Sequence, residues 1–311
     1  MRILLGTLGV AAATAGLSGC VMIGDIGPMD RYHSDFHYSY QVQPKVRIDA
    51  ESFNGAIEID GWDRNEVEIS GVKSASTEAA RDAIKIDIHN TPDSVEVRAV
   101  KPPNQQNSMG AKFTIHVPRG AELDRITTSN GPIKVSDVNR AAHLRTSNGG
   151  INLAGVRGEV TAQTSNGPID AEAIKGAVVL KSSNGHIHAD RIDGSFEAET
   201  SNSGIVARLS SSPSTTVKLN TSNGAIDLTM EKPPQSDVRA ETRNGPITVH
   251  LPSDTSAKLS AGTSNSGIDS EFEVTGDRDR HHLTGNIGSG GHAIELNTSN
   301  ARIRIRKGAT R

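Results

Sequence analysis

The sequence predicts an all-β fold, a single-stranded β-solenoid of 18- to 21-residue coils with an atypical N-terminal β cap. Three observations predict it. A short phrase, Ser-Asn-Gly-x-Ile, recurs with its asparagines at Asn130, Asn148, Asn166, Asn184, Asn202, Asn223, Asn244, Asn265 and Asn300, at spacings of 18, 18, 18, 18, 21, 21, 21 and 35 residues. Apolar and small residues alternate at the two-residue strand period inside each unit, as in Ile133, Val135, Val138, Ala142, Leu144 and Thr146. Aromatic residues make up only 3% of the 311-residue chain while glycine contributes 31 residues, which suits a thin core of Ile, Val, Leu, Ala and Thr.

Taken along the chain, the first element is Arg2 followed by a small and apolar run from Ile3 to Leu17, the pattern of a secretory signal peptide over residues 1–19. The run is too short for an ordinary membrane span. It ends in Leu17-Ser18-Gly19-Cys20, which resembles the bacterial lipobox, and that resemblance implies lipidation of Cys20 and anchoring in a membrane. Val21 rather than Asp follows, which by the same resemblance favours the outer membrane, facing the periplasm or the surface. Cys20 is the single cysteine, so no intramolecular disulfide exists. Residues 20–43 lack apolar periodicity and read as a lipidated tether, in which Tyr32, Tyr38 and Tyr40, with His33, Phe36 and His37, read as a strand edge packed on the start of the domain or as a metal- or partner-binding stretch.

Residues 44–118 alternate without the repeat phrase and read as an N-terminal β region that covers the stack. Phe53-Asn54-Gly55-Ala56-Ile57 is a divergent first copy of the phrase, and Ser74 to Ala83 has the composition of one short helix. From 119 to 307 the coils follow. Each reads as two short strands with corners at Asn-Gly and near Gly158, Gly176 or Gly194, residues that tolerate positive φ. Asn-Gly between alternating runs is also a hairpin signal. An antiparallel meander, however, leaves one apolar face uncovered, whereas the two strands of a coil cover each other. No single coil buries enough apolar surface to fold alone. The 35-residue interval contains an insertion at 275–292 that reads as a protruding loop or hairpin, and Arg302, Arg304 and Arg306 on the last strand read as an edge guard.

The lipobox, the Gly61-Trp62-Asp63-Arg64-Asn65-Glu66-Val67 stretch and the serial Thr-Ser-Asn-Gly coils together resemble the bacterial DUF4097 family over residues 44 to 306. Its members are described as candidate adhesins with β-strand repeats. The resemblance brings no catalytic or binding residues with it.

The formal net charge of −3 gives no basic field for nucleic acid. Phosphate-loop, nucleophile-elbow, dinucleotide and calcium-nonapeptide motifs are absent from the sequence, and no cofactor is expected. An enzyme of the polysaccharide-cleaving β-helix type needs clustered carboxylates on one outward face. The coil register predicts that Asp170 neighbours His188 and that Glu172 neighbours Asp190, with His186 nearby. A mixed-charge solvated face explains the same residues. In the insertion, His281, His282 and His292, with Asp277 and Asp279, form a loose candidate metal or ligand-sensing cluster without the defined spacing of a zinc site. The repeat asparagines read as structural corners. The expected function is therefore a non-catalytic, lipid-anchored cell-envelope protein, an adhesin or structural surface scaffold. Its expected partners are the membrane, through Cys20, and an envelope protein or glycan.

Overall fold

Two-residue alternation sends every second side chain of a strand inward, and in an 18-residue coil the next inward residue lands one strand spacing away. The computed structural model, which describes residues 32–103, 108–213 and 215–308, is built on that arithmetic. The strands Ile133–Ser136, Ile151–Ala154, Ile169–Glu172, Ile187–Ile192, Ile205–Leu209, Ile226–Met230 and Ile247–Leu251 run parallel, each hydrogen-bonded to the next. Their first residues form one unbroken column from Ile57 through Ile133 to Ile247, continued by Ile303 and Ile268. The second strand of each coil, beginning with Ala142–Thr146 and Val160–Gln163, builds the facing sheet with the same parallel register. One 13-stranded and one 14-stranded sheet thus enclose a continuous core, and the antiparallel meander is excluded.

Four successive coils have a third bend that the sequence did not announce. Asp137, Gly155, Ala173 and Arg191, the residues that end the first strand in four successive coils, all have left-handed φ of 54–66°. Past the bend, Val138, Val156, Ile174 and Ile192 turn inward, and Arg157, Lys175 and Asp193 pair in a narrow third side. Positive φ at the second corner is present at Gly176 and Gly194. At the Asn-Gly corners from Gly131 onward it is not, so glycine is required there for a different reason, the close approach of successive corners. Left-handed φ strains alanine, and the neighbouring coil already has Gly155 in that place. Ala173→Gly is accordingly expected to raise stability by about 0.5–1 kcal/mol, the relief of strain exceeding the added unfolded-state entropy. Urea unfolding at unchanged m-value checks it.

Both ends of the stack are interleaved. The first coil in sequence, Arg47–Ser52 with Ile57–Trp62, is not outermost. Its strands lie between Glu122–Thr128 and Ile133–Ser136 on one side and Ser94–Val100 and Met109–Pro118 on the other. The last coil, Ala293–Thr298 with Ile303–Lys307, likewise slots between the coil of Val238–Glu241 and Ile247–Leu251 and that of Ala257–Thr263 and Ile268–Ser270. Arg302, Arg304 and Arg306 therefore do not guard an edge, because their strand is interior. Arg302 meets Asp269 at 3.3 Å and Arg306 meets Glu271 at 3.0 Å on the neighbouring coil.

The insertion forms a hairpin, Val274–Arg278 with His282–Ile287, but it does not protrude. It adds two antiparallel strands to Ala257–Thr263 and closes that end of the sheet. At the other end, Tyr32–Gln41, within the range assigned to the tether, takes the strand-edge alternative as a ten-residue antiparallel edge strand on Glu66–Ala75. Phe36 anchors it by packing edge-on against Phe113, ring centroids 5.6 Å apart. The expected helix spans Glu78–Ala83, capped by Thr77, whose hydroxyl accepts from the Ala80 amide at 3.2 Å.

Candidate functional site

The Asn-Gly corner is the most repeated surface of the molecule, and hydrogen bonds explain its composition. In an exposed ladder running 130, 148, 166, 184, 202, 223, 244, 300, 265, each asparagine from Asn148 onward donates its side-chain amide to the side-chain oxygen of the one before it, at 2.6–2.9 Å. Beneath it lies a buried hydroxyl ladder. Thr164, for example, donates to the Gly149 carbonyl at 2.9 Å and accepts from the Gly167 amide at 3.3 Å, which satisfies groups that burial would otherwise leave unpaired. The glycines are needed because successive corners nearly touch: a Cβ on Gly149 or Gly185 would sit 1.8 or 1.7 Å from the carbonyl oxygen of the preceding corner. Where Ser203, Ser266 or Ala301 replaces the glycine, the bond from the corner amide to the threonine hydroxyl is absent. The nine asparagines thus spend their polar groups largely on one another, including the intercalated Asn300.

On the outward face of the first sheet the register places Asp170 beside His188 and Glu172 beside Asp190, as the coil spacing requires. With Lys134, Asn152 and Ala154 they line a shallow depression of about 320 Å³. His186 Nε2 stands 4.0 Å from Asp170, while Arg191 pairs with Glu172 and lies 3.8 Å from Asp190. The side chains of Asp170 and Glu172 keep 43% and 58% exposure, so water solvates both carboxylates and neither is placed in the apolar surroundings that make a general acid.

In the hairpin, Asp279 accepts from the backbone amides of His281 and His282 at 2.6 and 2.7 Å, and those bonds hold its carboxyl below the usual range. His282 Nδ1 lies 3.5 Å from Asp279, whereas His292 faces Asp237 at 3.8 Å. The structure thus gives His282 and His292 different carboxylate partners. Among the described residues no group of three or more His, Cys, Asp or Glu is arranged to hold a metal ion. Cys20 lies outside the described residues.

A second concavity, about 540 Å³, lies at the corner edge of the second sheet, where the last four coils in space meet the hairpin. Its origin is a set of departures from the repeat. Gly262 removes a side chain from an outward column otherwise filled by residues such as Asn220, Glu241 and Asn297, and so makes the floor. His282, paired across from Gly262, makes one wall. Arg243 stands at the rim in the place that serine fills in the neighbouring coils, at Ser222, Ser299 and Ser264. The sequence reading passed over this cluster, and the signal that would have found it is the lone arginine in a serine column.

The model of the family described as Toastrack DUF4097 matches residues 45–306. The chain belongs to this family. No curated protein matches this DUF4097 chain. Among solved structures it is similar to a candidate cell adhesion protein from Clostridium sporogenes ATCC 15579, at 12% identity over 88% of this chain and 100% of that one, with a TM-score of 0.21. It is also similar to a candidate adhesin from Bacteroides fragilis NCTC 9343, at 16% identity over 70% of this chain and 97% of that one, with a TM-score of 0.40.

Proposed function

We propose that this DUF4097 protein is a non-catalytic, lipid-anchored cell-envelope protein that holds a rigid adhesive or scaffolding surface away from a membrane. The observation that carries the reading is the pairing of Leu17-Ser18-Gly19-Cys20 with a stack that starts at Tyr32 and presents an uninterrupted exposed ladder. Nine rungs at about 4.8 Å give a ribbon on the order of 40 Å long. Such a ribbon offers multivalent contact rather than a single reacting centre, and the solvated carboxylates of the Asp170 face agree with that. In this reading several acyl chains on Cys20 hold the protein firmly, where one chain alone would bind reversibly. The surface meets an envelope protein or a glycan, and the outer membrane is the placement that Val21 favours.

The test is metabolic labelling with radioactive palmitate in a bacterial host. Label should enter the native protein and not Cys20→Ala, and the variant should move from the membrane to the soluble fraction. Equal labelling of both chains, or none of either, would overturn the anchoring.

A further inference from the structure

The concavity around Gly262 has a chemistry of its own. Apart from the glycine floor, every side chain lining it carries a hydroxyl, an amide, an imidazole, a carboxylate or a guanidinium, and none is aliphatic or a carbon-only ring. Such a surface offers no anchor for an apolar peptide side chain and many partners for a ligand rich in hydroxyl groups. Its polar groups are unequal in availability. Glu241 is already engaged by Arg239, at 3.0 and 2.8 Å, and His282 faces Asp279. Arg243 is exposed and has no carboxylate within ion-pair distance among the described residues, so the rim has one uncompensated guanidinium. A planar fork of donors in that position suits a carboxylate.

From these features we infer that the concavity binds an acidic saccharide. The sugar carboxylate pairs with Arg243, and ring hydroxyls meet Asn220, Ser222, Asn297 and Ser264. The corner residues Ser222, Arg243, Ser299 and Ser264 occupy successive rungs, so the site extends on the order of 14 Å along the stack. That is room for a short oligosaccharide, more than an isolated phosphate uses. The imidazole of His282 closes the end and sets where the chain of sugars stops. Where the other coils repeat one another, this group breaks the repeat at Arg243 and Gly262, and the break is what creates both the space and the charge.

The inference rests on reading the stack as an adhesive surface and specifies what it adheres to. Calorimetric titration of the full chain tests it with tetragalacturonate, cellotetraose and inorganic phosphate as probes. Saturable binding of tetragalacturonate is expected, weakened at least tenfold in Arg243→Ser by loss of a charge-assisted pair. That variant installs the residue of the adjoining rungs, so its unfolding midpoint should stay where it is. Asn297→Ala, which changes an exposed side chain, reads the same site without touching the corner, and Arg145→Ser, on a distant coil, should bind as the native chain does. No binding of tetragalacturonate, equal binding by Arg243→Ser, or equal binding of cellotetraose or phosphate would overturn the proposal. Because the titration uses the free chain, it can fail while anchoring through Cys20 stands, and the palmitate experiment can fail while the saccharide still binds.

Discussion

Gly167→Ala is expected to lower the stability of the stack by about 3 kcal/mol, even though it adds a single methyl group at a surface corner. The new Cβ would lie 1.9 Å from the Gly149 carbonyl oxygen, 2.3 Å from its carbon and 2.6 Å from the Gly150 nitrogen. All three are backbone atoms, so no rotamer change relieves the contact, and the coils must move apart. Moving them strains the Thr164 hydroxyl, which bonds the Gly149 carbonyl on one side and the Gly167 amide on the other. It also stretches the amide ladder at Asn148 and Asn166, whose bond is 2.6 Å. The replacements at Ser203, Ser266 and Ala301 show what accommodation requires, since each has lost its amide-to-threonine bond, and position 167 lies in a run whose neighbours are all glycine. Gly267→Ala is the matched control: its added carbon meets nothing within 4 Å, so it should cost no more than about 0.5 kcal/mol. Chemical denaturation of the two variants separates close approach from helical or unfolded-state effects of alanine. Equal losses would remove the steric explanation.

The contrast between those two glycines also shows how far the sequence could be read. Period and alternation were enough to place Ile133, Ile151, Ile169 and Ile187 in one inward column and to set Asp170 against His188, because a parallel stack of equal coils leaves no other register. The same information assigned positive φ to both corners, which holds at Gly55, Gly176 and Gly194 but not at the Asn-Gly corners from Gly131 onward, and it gave no hint of the left-handed φ at Asp137, Gly155, Ala173 and Arg191. Four different residue types at one position leave no compositional trace of a left-handed bend. For Tyr32–Gln41 the sequence offered an edge strand but not its bounds, and the segment stayed within the tether range. An edge strand whose side chains are mostly exposed lacks the apolar alternation by which strands are recognised, and only Phe36 and Tyr40 pack on the core. The concavity at Arg243 needed the spatial order of the coils, because its walls come from Asn220, Arg243, Gly262, His282 and Asn297, and nothing in their spacing brings residue 297 between 241 and 262.

That spatial order predicts the effect of removing residues 293–311. In a simple solenoid the last coil in sequence is the last in space, and its loss shortens the stack by one nearest-neighbour interface. Here Ala293–Thr298 and Ile303–Lys307 are sandwiched, with Ile247 pairing Ile303 on one side and Ile268 pairing Ile303 on the other. The fully buried Ile294, Leu296, Ile303 and Ile305 would go, each contributing about 2 kcal/mol, or on the order of 8 kcal/mol in all. The coils on either side would face each other across an empty layer, which Arg243 could no longer bridge through its carbonyl to the Ser299 and Asn300 amides. A loss of that size consumes most of the stability of an ordinary domain. The truncated chain should therefore lose its cooperative unfolding transition rather than melt a few degrees earlier. The intact chain allows the same test without relying on a variant that fails to fold. Hydrogen exchange should find the amides of Ile303–Lys307 protected as strongly as those of Ile247–Leu251, while the exposed edge strand Val274–Arg278 opens first. Exchange at Ile303 and Ile305 as fast as at that edge would mean that the terminal coil frays freely, and that the interleaving does not lock the stack.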